Sequence, residues 1–185
     1  AMAAAASLPA GAEQPPEVEM FKSIFVDVGF ESLSKSRVRL AAALAKRFEA
    51  ALTGFSAASV QPPIVTEAGV VVQMPFLNNT IQTIQEQLAR LEAEFHGQAA
   101  SAAWVGNVDD PTSALAREAS AADLIVTSAG FGGGPYNSFS SVDGGDLAIK
   151  AGRPILIVPP GVSELAADRI LVAWKDTREA RRSIR

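Results

Sequence analysis

Residues Ala122–Pro160 read ADLIVTSAGFGGGPYNSFSSVDGGDLAIKAGRPILIVPP and decide the fold of this chain. Two short apolar runs, Leu124–Val126 and Ile155–Val158, flank a glycine- and serine-rich loop and a short helical segment. That segment ends at Gly152, and glycine is the residue that most often follows the last turn of a helix. The order strand, loop, helix, strand predicts a right-handed βαβ crossover in a parallel sheet. Ligands of such sheets bind beyond the carboxyl ends of the strands, so we expect function at the loop Thr127–Ser141.

Three further apolar runs upstream predict strands of the same sheet: Ile24–Val28, Ala51–Ala57 and Ser101–Val105. These runs are short, nearly continuous in apolar residues and separated by segments of helical periodicity. Such alternation is typical of a parallel sheet with helices on both faces. The sequence therefore predicts an α/β fold, a doubly wound five-stranded parallel sheet of the nucleotide-binding-like type, over residues 21–160.

The spacing of apolar residues predicts the helices between these strands. One helix follows Ser32 or Ser34, and a longer amphipathic helix runs from Ile81 to a stop at Gly97. A third begins with Asp110 as the N-cap and a proline in the first turn, and continues to about Ala121. Three prolines and a glycine predict a long loop over Gln61–Pro75.

Composition excludes several classes of function. The chain has 185 residues, of which 48% are hydrophobic and 19% charged, as expected of a globular domain. Its formal net charge of -4 argues against a nucleic-acid partner. There is no cysteine and His96 is the only histidine, so thiolate chemistry and a multi-histidine metal site are excluded. No apolar run approaches ~20 residues, so we expect no membrane partner. The lack of cysteine is compatible with a cytoplasmic location, which is the location we expect.

The two ends of the chain differ from this pattern. Residues 1–20 are rich in Ala, Pro and Glu and are interpreted as a disordered leader or a remnant added for expression. Residues 161–168 form a linker. Residues 169–185 then repeat the strand and helix start found at the beginning of the domain, so they predict the truncated start of a second, similar repeat.

Five segments in this order resemble the universal stress protein family. They are Phe21–Val28 (FKSIFVDV), Asp110–Ala119 (DPTSALAREA), Ala122–Val126 (ADLIV), Gly152–Pro159 (GRPILIVP) and Arg169–Thr177 (RILVAWKDT). The last segment resembles the opening of a second domain in tandem members. The resemblance implies a five-stranded parallel sheet, dimerisation through the last strand and, in one branch of the family, ATP binding.

The ATP-binding branch carries a glycine signature that this chain departs from. The signature is glycine, two residues, glycine, nine residues, then glycine and Ser or Thr. Its four positions fall here on Ser128, Phe131, Ser141 and Val142, and the branch's aspartate after the first strand falls on Gly29. The resemblance therefore implies a non-catalytic stress-response domain that acts through homodimerisation and an unknown protein partner. The nucleotide loop is degenerate in this interpretation, and we expect no cofactor.

An alternative interpretation keeps the nucleotide. In it the chain is a stress sensor that binds ATP or AMP through a variant loop, because glycine-rich backbone can form an anion-binding nest. The candidate phosphate ligands are Ser128, Gly130, Gly132, Gly133 and Ser141. Asp143 and Asp146 oppose this interpretation, because acidic residues at the start of a helix cap it and repel phosphate.

Two further residues and one strand complete the candidates. Asp27, near the carboxyl end of the first strand, is either a ligand for a ribose hydroxyl or cation, or a solvent-facing or hydrogen-bonded acid at a strand end. His96 is interpreted as an exposed residue in the last turn of its helix. The apolar stretch Pro154–Pro160 predicts a sheet edge that pairs across a two-fold axis and ends at Pro159 and Pro160.

Overall fold

The computed structural model describes residues 21–60, 74–128 and 139–166, together with residues 171 and 177. Five strands lie in these ranges: β1 Ser23–Asp27, β2 Ala51–Ala57, β3 Ala103–Asn107, β4 Leu124–Thr127 and β5 Ile155–Ile157. The α-helices there are α1 Lys35–Arg47, α2 Met74–His96, α3 Pro111–Glu118 and α4 Gly144–Ala151.

All strand pairs in the described sheet are parallel, and the strand order is β3-β2-β1-β4-β5. The chain adds β2 and β3 on one side of β1 and then crosses to add β4 and β5 on the other side. This reversal places the topological switch point between β1 and β4. Val26 pairs with Val126, so the last residues of these two strands, Asp27 and Thr127, end side by side. The prediction of a five-stranded parallel α/β fold is confirmed.

Two apolar layers hold the helices against the sheet. On one face, α1 and α2 pack Val38, Leu91 and Phe95 against strand residues that include Ile24 and Val26. On the other face, α3 and α4 pack mainly Leu115 and Leu147 against β2 and β4. Each fully buried large side chain contributes roughly 1.5–3 kcal/mol by leaving water. Both sheet faces are therefore covered, as the continuous apolar strands require.

The helix boundaries follow local chemistry where the sequence gives a strong signal. The Asp110 carboxylate accepts a hydrogen bond from the Ser113 amide at 2.8 Å, and Pro111 occupies the first turn of α3. Gly152 ends α4 in the left-handed conformation at φ 58°. Both predicted boundaries are confirmed.

Other boundaries differ from the prediction. Helix α2 begins at Met74, not near Ile81, because Pro75 in the first turn starts a helix instead of breaking it. Residues 61–73 of the predicted loop lie outside the described residues. Strand β3 begins two residues later than predicted, since the Ala102 amide donates to the Ala99 carbonyl in a turn that precedes the strand.

The predicted leader and the predicted second repeat lie almost entirely outside the described residues, so these divisions stay predictions. In the described ranges, none of the helices combines the length and the apolar character that a bilayer crossing needs.

Candidate functional site at the switch point

Asp27 lies at the centre of a polar network where β1 ends. Only 5% of this residue is exposed. Its Oδ1 accepts a hydrogen bond from the Gly29 amide at 2.9 Å, and its Oδ2 accepts one from the Thr127 hydroxyl at 2.9 Å. Arg37 adds an ion pair, with Nη2 at 3.5 Å from Oδ2. Both oxygens of the carboxylate therefore accept hydrogen bonds from within the chain. This favours the interpretation of Asp27 as a hydrogen-bonded acid over its interpretation as a ligand for a ribose hydroxyl or a cation.

The turn after β1 fixes this network in place. Gly29 adopts φ 87°, and a Cβ on it would lie 3.0 Å from the Ser32 carbonyl oxygen, so glycine is required there. The Ser56 hydroxyl donates to the Gly29 carbonyl at 3.1 Å. The Arg37 Nε donates to the backbone carbonyl of Asp27. Asp27 therefore binds the guanidinium through both its side chain and its backbone.

A cavity of about 150 Å³ opens beside this network at the carboxyl ends of β1 and β4. Its lining residues are Asp27, Gly29, Phe30, Glu31, Ser32, Arg37, Ser128, Ser140, Ser141 and Val142. We call it the carboxyl-end cavity. The structure thus brings together three of the candidates from the sequence, Asp27, Ser128 and Ser141. Gly130, Gly132 and Gly133 lie outside the described residues.

The charges of the carboxyl-end cavity do not favour a phosphate. Two carboxylates, Asp27 and Glu31, line it together with a single cation, Arg37. That cation is already paired with Asp27. The Glu31 carboxylate accepts a hydrogen bond from the Ser140 hydroxyl at 3.0 Å, which keeps an acid at the rim. A polyanion entering this part of the cavity would meet an excess of negative charge.

The N-terminus of α4, next to the cavity, is occupied by the chain's own carboxylate. Asp143 Oδ1 accepts hydrogen bonds from the Gly145 amide at 2.8 Å and from the Asp146 amide at 2.9 Å. The preceding Val142 is 4% exposed and packs in the core between α3, α4 and the sheet. Two of the amides that could bind a phosphate at this helix start are therefore used in capping.

Exposed ion pairs surround the start of α3 and the end of α4. The pKa of the Asp109 carboxyl lies below its usual value, chiefly because the Asp110 amide donates to it and then because Arg117 pairs with it at 3.0 Å. The pKa of the Lys150 ammonium is raised by Asp146, 2.7 Å away. These groups are exposed, so their pairs belong to the solvated surface.

The only histidine of the chain lies at the other end of the sheet. His96 is in the last turn of α2, its side chain 38% exposed, with Nε2 at 3.8 Å from Glu92. Because α2 leads into the amino end of β3, His96 is remote from the carboxyl-end cavity. In the described ranges, no group of three His, Asp or Glu side chains is placed to hold a metal ion.

Arg37 and Thr127 are members of the network that reasoning from the sequence missed. One signal was available for Arg37, because it precedes Leu40 and Ala41 by three and four residues and so shares their buried face of α1. A cation on an apolar face indicates a buried partner. Thr127 carried no such signal, since threonine is common in strands.

The described residues define an open, doubly wound α/β domain with a polar cavity at its switch point. No protein-family model matches the chain, and no curated protein matches it. Among solved structures, the chain is similar to a universal stress protein in complex with cAMP, with 23% identity, 77% of this chain and 99% of that chain covered, and a TM-score of 0.47.

Two further solved universal stress proteins are similar to the chain. One, from Archaeoglobus fulgidus in complex with dAMP, has 18% identity and a TM-score of 0.40, covering 75% of this chain and 98% of the other. The second, from Arabidopsis thaliana with AMP bound, has 10% identity and a TM-score of 0.47, with 80% of this chain and 97% of that chain covered.

Proposed function

We propose that this chain is a cytoplasmic, non-enzymatic stress-response domain of the universal stress protein type. It acts through homodimerisation and contact with a protein partner, and it needs no cofactor. The nucleotide loop after β4 is degenerate in this proposal, so neither ATP nor AMP controls the domain. The order of the sequence motifs and the strand order support the family resemblance.

The observation that carries the proposal is the capping of α4 by Asp143. A helix N-terminus binds phosphate through free backbone amides and the positive end of its dipole. Here one carboxylate accepts from two of these amides, and Asp146 adds a second acid in the first turn. A phosphate would have to displace an internal carboxylate and then remain beside it, which is unfavourable on both counts.

The arrangement of acids and bases supports a non-enzymatic role. A general base must reach the proton it removes, yet both Asp27 oxygens already accept hydrogen bonds within the chain. The only histidine, His96, lies beyond reach at the opposite end of the sheet.

The surface around β5 supports homodimerisation. Within the described residues β5 pairs with β4 alone, so it forms an edge of the sheet. Ile157 on this edge is 47% exposed, and Val162 and Leu165, which follow it, are 37% and 44% exposed. Pairing with the same edge of a second copy would satisfy the edge and cover these apolar side chains.

Light scattering after gel filtration tests the proposed homodimerisation. The unmodified chain is expected to run as a dimer, and Ile157→Lys is expected to run as a monomer because a buried charge opposes edge pairing. Lys150→Glu, an exposed change on α4, is the control and should stay dimeric. A monomeric unmodified chain would contradict the homodimer.

The carboxyl-end cavity supports the second candidate, an adenine-nucleotide sensor. It lies at the topological switch point, where ligands of open α/β sheets bind, and the Ser128 and Ser141 residues line it beside Arg37. A thermal shift with millimolar ATP or AMP and Mg²⁺ separates the two functions, because a ligand that binds only the native state raises its stability. No shift supports the degenerate site, whereas a rise of several degrees supports the sensor.

A further inference from the structure

A second cavity, of about 400 Å³, lies at the opposite end of the sheet from the switch point. It opens between the last turn of α1 and the turn that follows α2, at the amino ends of β2 and β3. Its lining residues are Ala42, Ala45, Lys46, Glu49, Ala50, Ala51, Leu52, Gln98, Ala99, Ser101 and Ala102. We call it the amino-end cavity. Its volume is within the range of small-molecule sites, roughly 300–1,000 Å³.

The floor of the amino-end cavity is apolar and made of small side chains. Alanines come to it from the inner side of α1, from the start of β2 and from the turn before β3. Because alanine ends at Cβ, these positions leave open the volume that larger side chains would fill. Leu52 extends the apolar floor into the sheet. A ligand with an aliphatic body would bury that body here and gain the transfer free energy of apolar surface.

The rim of the cavity carries two opposite charges that do not form an ion pair with each other. Lys46 and Glu49 are both exposed and both line the cavity. Among the described residues, neither takes part in an ion pair, with the other or with any third residue. A cation and an anion that are not paired with each other at the rim of one cavity can each pair with an opposite charge on a ligand. Gln98 and Ser101 add hydrogen-bonding groups to the same rim.

The backbone places the Glu49 carboxylate at a conformational cost. Glu49 follows the end of α1 with φ 52°, and it is the non-glycine residue with positive φ in the described chain. The Ala50 amide donates to the Ala45 carbonyl at 2.9 Å, which is the closure of a Schellman motif. Glycine is the usual residue at this position. A glutamate there keeps a negative charge at the cavity where the helix end alone would favour glycine.

We propose that the amino-end cavity binds a small zwitterion with an aliphatic body, an apolar amino acid or a short apolar peptide. The ligand carboxylate pairs with the Lys46 ammonium, and the ligand ammonium pairs with the Glu49 carboxylate. The aliphatic body lies on the alanine floor. The site is separate from the carboxyl-end cavity and does not depend on the function proposed for it.

Titration of the isotope-labelled full chain, followed by amide NMR, tests the proposal. The probes are L-leucine and the dipeptide Leu-Ala, with N-acetyl-leucine and leucinamide as analogues that each lack one charge. With leucine or the dipeptide, we expect saturable shifts confined to the amides of residues 42–52 and 98–102. The probe that binds more tightly shows whether the ligand is a free amino acid or a short peptide. Each analogue should bind about fivefold more weakly, as expected for the loss of one partly exposed ion pair.

Variants separate binding from folding. Lys46→Met and Glu49→Gly should each weaken the better probe about fivefold, whereas Lys35→Met, on the same helix but outside the cavity, should leave it unchanged. Glu49→Gly also relieves the backbone, so weaker binding in this variant cannot be attributed to unfolding. The proposal would be overturned if neither probe gave a saturable shift, or if Lys46→Met and Glu49→Gly bound the better probe as tightly as the unmodified chain does.

Discussion

At the scale of the residue, the ion pair between Arg37 and Asp27 is the feature on which the end of β1 depends. The two side chains are 9% and 8% exposed, so each charge has little access to water. The Thr127 hydroxyl and the Gly29 amide complete the hydrogen bonds of the carboxylate. In such a pair, loss of one partner costs more than the pair contributes, because the other charge stays buried.

Arg37→Met is therefore expected to destabilise the chain by about 3 kcal/mol. Methionine keeps much of the apolar stem and removes the guanidinium, so the Asp27 charge is left uncompensated. Urea unfolding followed by circular dichroism measures the change. Arg39→Met, an exposed arginine two residues along α1, should change the free energy of unfolding by less than about 0.5 kcal/mol. Equal effects of the two substitutions would contradict a buried pair.

Glu49 gives a prediction of opposite sign. Glu49→Gly is expected to stabilise the chain by roughly 0.5 kcal/mol, because relief of the left-handed backbone exceeds the extra entropy that glycine brings to the unfolded chain. Glu49→Ala also removes the carboxylate but keeps the strain, so it serves as the matched control and should not gain stability. The comparison uses urea midpoints. A glycine variant no more stable than the alanine variant would show that φ at this position carries no strain.

The sequence alone could place Asp27 near the site but could not show what it does. Its position at the end of an apolar run indicates the carboxyl end of a strand. Its partners Arg37 and Thr127 are separated from it by 10 and 100 residues, so their contacts depend on how the helix and β4 pack on β1. The choice between an open ligand and an internal hydrogen-bond acceptor depends on those contacts.

At the scale of the element, α4 is set by its cap. Asp143→Ala is expected to cost about 1 kcal/mol of unfolding free energy, since two amides at the helix start lose their acceptor. Asp143→Ser retains a capping oxygen and should lose only a few tenths of a kcal/mol. Thermal unfolding of the two variants measures the difference. Equal stability of both would mean that the cap contributes nothing.

Strand β2 and helix α2 meet at a close contact that only glycine permits. A Cβ on Gly54 would lie 2.7 Å from the ring of Phe95, which is fully buried. Gly54→Ala should therefore destabilise the chain by about 1–3 kcal/mol through overpacking. Combining it with Phe95→Leu should cost less than the sum of the two single changes, since the smaller side chain makes room. Additive costs in urea unfolding would contradict the contact.

Local signals explain which elements could be predicted. Asp110 with Pro111, and Gly152, fix helix ends by cap chemistry within a few residues, so the sequence was sufficient there. The start of α2 was predicted near Ile81 because Pro75 was interpreted as part of a loop. A proline suits both a loop and the first turn of a helix, so it does not distinguish them without the packing that follows.

At the scale of the whole molecule, the strand order creates the carboxyl-end cavity. β4 lies next to β1 although about 100 residues separate their ends. This pairing brings the Thr127 hydroxyl to Asp27 and places Ser128 in the lining of the same cavity. Apolar runs predicted the number and direction of the strands. They could not predict the neighbours of β1, because apolar strands buried on both faces can exchange places without changing the pattern.

The opposite end of the sheet carries the amino-end cavity, so the molecule has two chemically distinct concave regions. One is rich in hydroxyls and acids around the ion pair of Asp27 and Arg37, and the other has an alanine floor beside a lysine and a glutamate that do not pair with each other.

The central claim is that Asp143 and the surrounding acids exclude phosphate from the switch point. Calorimetric titration of the purified chain with ATP and Mg²⁺ tests this claim most directly. We expect no saturable heat up to millimolar ATP, and no nucleotide released from the protein on denaturation. Stoichiometric ATP binding with a Kd well below millimolar, or nucleotide carried through purification, would contradict the claim.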